Sequence, residues 1–380
     1  MNLDLTEQHL ALRQMVRDFM EKEVAPIARE LDDREEFPVH IVKKMGALGM
    51  LGVAFPEEYG GVGYDAISYV ITIEEVTRVD SSMGITVEAD VTLGGLPIHK
   101  FGTEEQKQKY LVPLAKGQVL GAFGLTEPEA GSDSGATKTT AQFKGGEWVI
   151  NGTKCFITNS GTPMTGWVTV TAVTGRRPDG KKEISCIMVP SGTPGFTVST
   201  KYKKMGWRAS DTHELSFADC RVPEKNLIGK RGSGLKQFLE VLDEGRLGVA
   251  SMGLGLAQGV LEMSLRYARQ RVQFGKPIFE FQDIQSKLVN MAIDVEAGRL
   301  LCYQAALLKD KGVPYTKEAA MAKMFTSERA VKAVNEGLQI HGGLGLMDDA
   351  PISRFYRDAK FLTIGEGTTE IQKMVIARKL

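Results

Sequence analysis

The sequence predicts an α+β fold of three successive domains, the first helical, the second β and the third helical. Two changes in hydrophobic periodicity carry this prediction. Apolar residues recur at helical spacing through residues 6–117, short runs rich in Val, Ile, Thr and aromatic residues follow from residue 118, and helical spacing returns from Gly234. No helical pattern separates the strand-like runs, so we expect an antiparallel β domain in the middle rather than a doubly wound sheet.

The first domain, placed at residues 1–117, is expected to be helical throughout. Its first apolar stripe consists of Leu12, Met15, Val16, Phe19 and Met20. The run at residues 66–79 is apolar enough to be buried on most sides. Thr103 and Gln106 have the spacing of a capping box, which predicts that another helix begins there.

The second domain, placed at residues 118–230, is expected to be a barrel-like β domain. Strand-like runs occur at residues 148–150, 156–158, 167–170 and 184–189. Turn signals between them include Gly145-Gly146, Asn151-Gly152 and Pro178-Asp179-Gly180. Because Asn-Gly is typical of tight hairpin turns, we expect residues 148–158 to form a hairpin around Asn151-Gly152.

The third domain, placed at residues 231–380, is expected to be a bundle of four or five helices. Residues 282–308 and 315–340 read as long helices separated by Lys311-Gly312-Val313-Pro314. Gly253, Gly255 and Gly259 miss the spacing of a dinucleotide-binding loop and follow no strand. Close packing between helices is the interpretation we give them.

Composition excludes several classes of protein. Lys plus Arg and Asp plus Glu both number 47, so no net charge attracts nucleic acid or an acidic membrane surface. No uncharged apolar run approaches the roughly 18 residues of a membrane-spanning helix, and residues 1–5 lack the pattern of a signal peptide. The four cysteines are scattered without a CxxC pair, which argues against a disulfide framework or a metal site and favours a cytoplasmic location.

A carboxylate between two glycines marks the most promising site. Gly365-Glu366-Gly367 precedes Thr368, which can cap the helical pattern that follows. Glycines on both sides allow backbone and carboxylate to approach a bound molecule closely. A loop glutamate beside a helix cap is the alternative, and this stretch alone does not decide between them.

Eight short motifs follow one another along the chain. They are Glu57-Glu58-Tyr59-Gly60-Gly61, Phe101-Gly102-Thr103-Glu104-Glu105-Gln106-Lys107, Leu125-Thr126-Glu127-Pro128-Glu129-Ala130-Gly131-Ser132-Asp133, Asn151-Gly152-x-Lys154-x-Phe156-Ile157-Thr158-Asn159, Arg271-x-x-Phe274-Gly275-Lys276-x-Ile278, Gln339-Ile340-His341-Gly342-Gly343, Arg357-Asp358-Ala359-Lys360, and the stretch around Glu366. In this order and over essentially the full length, the chain resembles the acyl-CoA dehydrogenase family.

The resemblance implies the same three-domain order, an FAD cofactor and a homotetramer built from dimers. The residues implied to line the flavin and the pantetheine are Phe123, Leu125, Thr126, Gly131 and Ser132, with Phe156, Ile157 and Thr158 flanking the isoalloxazine. Those implied to reach the FAD of a neighbouring subunit are Arg271, Phe274, Gln282, Gln339, Ile340, Gly342 and Gly343. Thr368 and Glu370 would hold the phosphate or ribose region. The CoA thioester would contact Asp243 and Arg246, with Ser132, Gly365 and Gly367 also on the substrate side.

Glu366 matches the catalytic base of the family. An α proton of a thioester is a poor acid, so its base needs a raised pKa and a desolvated, well-aimed carboxylate. Some relatives carry the base on the helix that here contains Asp243-Glu244-Gly245-Arg246. This chain has Gly245 at the matching position, which leaves Glu366 as the base, and Glu244 is expected to point elsewhere because successive helical residues turn by about 100°.

The acyl group is less tightly specified. Relatives acting on straight chains often have Tyr before the base, whereas this chain has Gly365, which is expected to make room for a branched or ring-shaped acyl group. Asp90 matches a position lining the acyl pocket and resembles the extra carboxylate of alicyclic acyl-CoA dehydrogenases acting on cyclohexane- or cyclohexene-carboxyl-CoA. A second acid or base at Asp90 and an aspartate simply paired on a helix surface stay open as alternatives.

Several rival functions use the same fold. The resemblance itself implies that reduced FAD passes its electrons to an electron-transferring flavoprotein. The rivals are an ordinary short-chain, butyryl-type dehydrogenase, an acyl-CoA oxidase and an enoyl-CoA reductase, and all of them would need Glu366. Flavin monooxygenase relatives lack the base, so Glu366 argues against them. A DNA-associated relative would be expected to carry an added basic region, and the balanced charge speaks against one.

Overall fold

The structure is a computed structural model that describes residues 4–380. Its first part is helical, as the periodicity predicts. The helices are α1 (Glu7–Phe19), α2 (Ala28–Arg34), α3 (Val39–Ala47), α4 (Ala66–Val79), α5 (Ser81–Ala89), α6 (Leu96–Phe101), α7 (Glu104–Gln106) and α8 (Val112–Ala115). Short π-helical turns prolong α1, α5 and α7.

Side-chain caps determine where several of these helices begin. The predicted capping box is present: the Thr103 side chain accepts from the backbone of Gln106, whose side chain accepts from the backbone of Thr103. Asp65 caps α4 by accepting from the Ser68 N–H, and Asp80 caps α5 by accepting from the Met83 N–H. Each cap satisfies a backbone N–H that has no partner inside the helix. All nine residues of α5 are buried, so this helix runs through the interior.

The middle region forms one eight-stranded sheet within the described residues. Its strands are β1 (Leu120–Gly124), β2 (Thr140–Lys144), β3 (Glu147–Thr158), β4 (Thr165–Arg176), β5 (Lys182–Pro190), β6 (Phe196–Val198), β7 (Thr212–Pro223) and β8 (Leu227–Ile228). The order is β6-β7-β3-β2-β4-β5-β8, with β1 paired to β4. Most pairs are antiparallel as predicted, but β1 runs parallel to β4, so the sheet is mixed.

The hairpin predicted around Asn151-Gly152 is wrong. β3 runs uninterrupted through both residues, and the turn lies at Gly145-Gly146, between β2 and β3. These two glycines have φ of 61° and 85°, the successive positive values that a tight hairpin turn requires. Asn151 instead bonds across to Asp219 of β7, with its Oδ1 accepting from the Asp219 N–H at 2.8 Å. The register shifts there, between Ile150 and Gly152.

The last part is the predicted helical bundle. Its helices are α9 (Gly234–Gln270), α10 (Gln282–Asp310), α11 (Thr316–His341), α12 (Pro351–Leu362) and α13 (Thr369–Ala377), and a small hairpin of β9 (Val272–Gln273) and β10 (Lys276–Pro277) follows α9. The long α9 packs against α4, α5, α10, α11 and α12. A Cβ at Gly255 would stand 2.2 Å from the carbonyl oxygen of Glu74, which confirms that this glycine serves close packing of α9 on α4.

One apolar core runs through both helical domains and beneath the sheet, and a second lies inside the β domain. The four cysteines are free and buried. In residues 4–380 no helix combines the length and the hydropathy that a membrane crossing needs.

Candidate active site

Glu366 lies in the short connection between α12 and α13. Its φ of 51° is a left-handed value that a residue with a side chain rarely adopts. The connection is held at Gly367, whose carbonyl oxygen accepts from Lys323 Nζ at 2.7 Å and from Gln372 Nε2 at 2.9 Å. Thr368 caps α13 through a hydrogen bond from the Ile371 N–H, as predicted. The backbone around Glu366 is therefore held from both sides.

The carboxylate of Glu366 is shielded from solvent and unpaired. Both of its oxygens are buried, and neither has a hydrogen-bond partner among the described residues. A buried polar group without a partner costs free energy, so such groups are typical of sites that bind or transform a ligand. The carboxylate is free to act on a bound molecule.

The pKa of Glu366 is raised from its ordinary 4.5 to about 7. Burial of the carboxyl group is the largest cause and raises the pKa. The approach of Glu88 and the positive charges of Lys323 and Arg246 lower it, without offsetting the burial. A group that titrates near neutral pH is well matched to general-base catalysis.

Gly245 on α9 leaves room for this carboxylate. A Cβ at position 245 would stand 2.0 Å from Oε2 of Glu366, so a side chain there would displace the carboxylate. Glu244 points away from the site, as predicted, and forms ion pairs with Lys100 and Lys309. A side chain at position 245 and the carboxylate of Glu366 would thus compete for the same space. Glu244 belongs to a separate charge cluster.

Glu88 is the second carboxylate at the site, and it is not among the residues predicted from the sequence. It lies on α5, fully buried, and its Oε1 accepts from Thr92 Oγ1 at 2.8 Å. Burial and the nearby charge of Glu366 raise its pKa well above the ordinary value. The two carboxylates lie within hydrogen-bonding reach of each other, and because an ionised carboxylate only accepts, a hydrogen bond between them requires a proton on one of the two. In this part of the chain only Asp90 was predicted from the sequence.

Asp90 lies two residues further on, where α5 passes into a π-helical turn. Its Oδ1 accepts from the Gly121 N–H of β1 at 2.9 Å, and its Oδ2 has no partner among the described residues. Burial raises its pKa well above the ordinary value. The aspartate is not on a helix surface, which removes that alternative. Its proposed role as a second acid or base stays a prediction.

Asp243 and Arg246, the predicted CoA contacts, form an ion pair with each other. Arg246 Nη1 lies 2.5 Å from Asp243 Oδ1, and Thr316 Oγ1 donates to Asp243 Oδ2 at 2.6 Å. The Arg246 side chain is nearly buried and its charge acts on Glu366. The structure therefore places these residues near Glu366, while their contact to CoA stays a prediction.

The predicted flavin residues of the β domain lie at the ends of β1 and β3. Phe123 stacks on Phe238 of α9 with ring centroids 5.2 Å apart. Phe156 has a left-handed φ of 61°, packs against Tyr202 and leaves 66% of its surface exposed. Ile157 beside it is buried. An exposed aromatic side chain in a fixed backbone conformation can pack against a planar ring such as isoalloxazine. These residues are therefore compatible with the expected FAD.

The loop after β1 is held by a buried ion pair. Glu127 accepts from Lys154 Nζ at 2.7 Å and from the backbone N–H groups of Lys138 and Thr139. Burial raises the pKa of Glu127, but these partners outweigh it and lower the pKa to about 2. The loop thereby holds Leu125 and Thr126 beside β3 and leaves the predicted ligand residues at 131 and 132 exposed.

The remaining predicted cofactor residues lie far from Glu366. Arg271 follows α9 some 26 residues after Gly245, a distance of about 39 Å along the helix. Tyr267 stacks on His341 at 4.5 Å, which brings the end of α9 beside the turn at 342–343. Phe274 is 94% exposed. The structure thus groups Arg271, Phe274, Gln282, Gln339, Ile340, Gly342 and Gly343 at one end of the bundle, where reaching a neighbouring subunit stays a prediction.

Thr368 and Glu370 lie at the start of α13, near Glu366 along the chain. The side chain of Glu370 is exposed, and that of Thr368 is taken up as the cap of α13. Whether they hold the cofactor, as expected, stays a prediction.

Three family models match the chain in succession. The N-terminal domain of acyl-CoA dehydrogenase matches residues 6–118, the middle domain residues 122–220 and the C-terminal domain residues 232–380.

The chain is also similar to named relatives over its whole length. It is 52% identical over 380 residues to the probable acyl-CoA dehydrogenase YngJ of Bacillus subtilis, covering 100% of both chains. It is 45% identical over 380 residues to the short-chain specific acyl-CoA dehydrogenase of Clostridium acetobutylicum, again covering 100% of both. It is 44% identical to the acryloyl-CoA reductase (NADH) of Anaerotignum propionicum, covering 100% of this chain and 96% of that protein.

Solved structures match it closely. Butyryl-CoA dehydrogenase from Megasphaera elsdenii superposes with a TM-score of 0.96 at 41% identity, covering 100% of this chain and 99% of that one. A chain from a study of the electron transferring flavoprotein of Acidaminococcus fermentans has a TM-score of 0.96 at 44% identity, with the same coverage. An acyl-CoA dehydrogenase complexed with FAD from Bacillus anthracis has a TM-score of 0.92 at 36% identity, covering 99% of this chain and 67% of that one.

Proposed function

Because the chain belongs to the acyl-CoA dehydrogenase family and is an FAD-dependent oxidoreductase, we propose that it introduces a double bond into a short-chain acyl-CoA thioester, with Glu366 as the base. The observation that carries the proposal is the carboxylate of Glu366, which is buried, unpaired and shifted to a pKa of about 7. That combination suits removal of a weakly acidic proton.

In the proposed reaction Glu366 removes the α proton and its own backbone N–H binds the thioester oxygen. Negative charge develops on that oxygen as the proton leaves, and a preorganised N–H donor stabilises it. Bound FAD supplies the acceptor for the β hydride. Lys323 holds the backbone of Gly367 and, with Arg246, places positive charge near the carboxylate. This charge keeps part of Glu366 ionised at neutral pH despite its burial.

A short, straight acyl group is the substrate that the relatives favour. Two of them are named short-chain specific acyl-CoA dehydrogenase and butyryl-CoA dehydrogenase. The alicyclic group suggested by Gly365 and Asp90 finds no support among the relatives named above, and one oxygen of Asp90 is engaged by the Gly121 N–H. Butyryl-CoA is therefore the substrate we propose to test first.

We propose an electron-transferring flavoprotein as the electron acceptor. The close structural match from a study of such a flavoprotein supports this. The relative named acryloyl-CoA reductase favours a second candidate, in which the same residues reduce an enoyl-CoA. The homotetramer and the cytoplasmic location stay predictions.

One experiment tests the proposal directly. The wild type and Glu366→Gln are mixed anaerobically with butyryl-, isobutyryl-, isovaleryl-, glutaryl-, cyclohexanecarboxyl- and cyclohexenecarboxyl-CoA, and bleaching of the FAD absorbance is followed. We expect bleaching with butyryl-CoA and a loss of about 10²- to 10⁴-fold in the variant. A variant that retains wild-type rates would refute Glu366 as the base, and bleaching confined to the ring esters would refute the short straight substrate.

A further inference from the structure

Two glycines on one face of α9 hold two carboxylates side by side. Gly245 lies against Oε2 of Glu366, and a Cβ at Gly248 would stand 2.7 Å from Oε1 of Glu88. Residues three apart on a helix are neighbours on the same face, with about 5–6 Å between their Cβ positions. The two glycines therefore leave one small space on α9 that no side chain of that helix fills. Glu366, from the connection after α12, and Glu88, from α5, both occupy it.

The polar groups near Glu366 differ from those near Glu88. Lys323 of α11 and Arg246 of α9 lower the pKa of Glu366 through their positive charge. The groups that act on Glu88 are Glu366 itself and the hydroxyl of Thr92, with no cation among them. Tyr69 of α4 also faces this space, since a Cβ at Gly248 would stand 2.5 Å from its hydroxyl oxygen.

Charged groups further along the neighbouring helices are already paired. Glu244 lies between Lys100 and Lys309. At the start of α5, Asp80 pairs with Arg354 of α12. At the other end of α5, Asp90 accepts a hydrogen bond from the Gly121 N–H of β1. None of these groups supplies a counter-charge to Glu88.

We infer that Glu88 is a positioning residue that shares one proton with Glu366, orienting the base and determining the pH at which it ionises. Two adjacent buried carboxylates do not both ionise near neutral pH, because the like charges repel. The cations lie on the side of Glu366, so the shared proton resides on Glu88 and the negative charge on Glu366.

In this arrangement the O–H of Glu88 donates to the carboxylate of Glu366. A hydrogen bond to the ionised form lowers the pKa of its acceptor. It also fixes the rotation of the carboxylate, which is otherwise unpaired. When Glu366 takes the α proton, its charge is neutralised and the proton on Glu88 stays in place. The titrations of the two groups then belong to the pair rather than to either residue alone.

The inference rests on the proposed role of Glu366 and is tested with two matched substitutions in the FAD-loaded enzyme. Glu88→Gln keeps the shape and an N–H donor, whereas Glu88→Met keeps the shape and removes the donor. The pH dependence of kcat/KM with butyryl-CoA is measured for both. The acid limb is the part of this profile in which kcat/KM falls as the pH decreases. We expect the pH midpoint of the acid limb to stay near the wild-type value in Glu88→Gln and to shift upward by about one to two pH units in Glu88→Met.

A second readout separates proton transfer from the redox step. Acetyl-CoA has α protons but no β carbon, so its exchange of protons for deuterium in D₂O, followed by mass spectrometry, reports on the base alone. The exchange rate is expected to show the same upward shift in Glu88→Met. If Glu88→Met fails to bind FAD, Glu88→Leu carries the same test.

The outcomes separate the two proposals. If both Glu88 variants keep the acid limb of the wild type while Glu366→Gln is inactive, the shared proton is refuted and Glu366 remains the base. If Glu366→Gln is active, the proposed function itself fails. A shift of equal size in Glu88→Gln and Glu88→Met also overturns the inference, because it would show that volume or charge at position 88, and not a donated hydrogen bond, controls the base.

Discussion

The carboxylate of Glu366 occupies the space that a side chain at Gly245 would fill. A Cβ at position 245 would lie 2.0 Å from Oε2 of Glu366, closer than any van der Waals contact. The two residues are 121 positions apart and belong to different elements. The glycine on the long α9 is thus required by the position of the Glu366 carboxylate and not only by helix packing.

Gly245→Ala is expected to impair catalysis more than stability. The new methyl group would meet the end of the Glu366 side chain and no backbone atom of another element at comparable distance, so we expect the carboxylate to move while the helix stays in place. A displacement of about 1 Å from productive geometry costs on the order of 10²-fold in rate. We expect a fall of that size in kcat/KM for butyryl-CoA with an almost unchanged melting temperature.

Gly298→Ala on α10 is the matched control for this substitution. Its Cβ would lie 3.0 Å from the Thr326 methyl group and 3.9 Å from Leu254 and Phe325, and it lies outside the site described above. The kcat/KM of Gly298→Ala should stay within a few-fold of the wild-type value. Equal activity losses in both variants would show that the effect of Gly245→Ala comes from helix packing in general.

The rate of α-proton removal is expected to increase with pH through neutrality. Burial raises the pKa of Glu366 to about 7, and only the carboxylate form accepts a proton. The base is therefore mostly protonated at pH 6 and mostly ionised at pH 8. We expect kcat/KM to increase about tenfold per pH unit below pH 7 and to level off above it. A profile that is already flat at pH 5 would contradict the raised pKa.

Asp90→Asn is expected to retain turnover of butyryl-CoA. The amide Oδ1 accepts the same hydrogen bond from the Gly121 N–H, and the side chain keeps its shape. The turnover rate of the variant with butyryl-CoA is compared with its turnover rates with cyclohexanecarboxyl- and cyclohexenecarboxyl-CoA. A loss confined to the ring esters would instead establish Asp90 as a pocket acid for alicyclic substrates.

Glu127→Gln is expected to destabilise the β domain. Lys154 is buried and would lose the carboxylate that neutralises it. Removing one partner of a buried ion pair costs about 3–5 kcal/mol. The melting temperature should fall clearly, whereas Glu129→Gln in the same loop, whose partner Lys138 is exposed, should leave it unchanged. Equal stability of Glu127→Gln and the wild type would refute a stabilising role of this pair.

The same ion pair predicts how stability responds to acid. The pKa of Glu127 is lowered to about 2 in the folded chain from an ordinary value of 4.5. Its contribution to stability is therefore complete above pH 4.5 and is lost as pH falls from 4.5 towards 2. The difference in melting temperature between the wild type and Glu127→Gln should shrink over that interval.

The sequence alone determined the order of the domains and the caps at Thr103 and Thr368, and it predicted Glu366 as the base. Hydrophobic periodicity reports which residues are buried, and caps such as Thr103 and Thr368 act over a few residues, so local pattern suffices for both. The glycines beside Glu366 and the ordered motifs sufficed to select it. The hairpin was wrongly placed at Asn151-Gly152, because that pair and Gly145-Gly146 are both typical of tight turns and only the strand pairing shows which of them connects two strands.

Only the tertiary structure decided which carboxylate accompanies the base. Every residue of α5 is buried, so its periodicity carries no information about which side faces which neighbour. Glu88 and Asp90 lie two residues apart, about 200° around the helix, and point to different partners. The packing of α5 against α9 directs Glu88 to Glu366 and leaves Asp90 bonded to β1, a choice fixed by contacts between residues far apart in the chain.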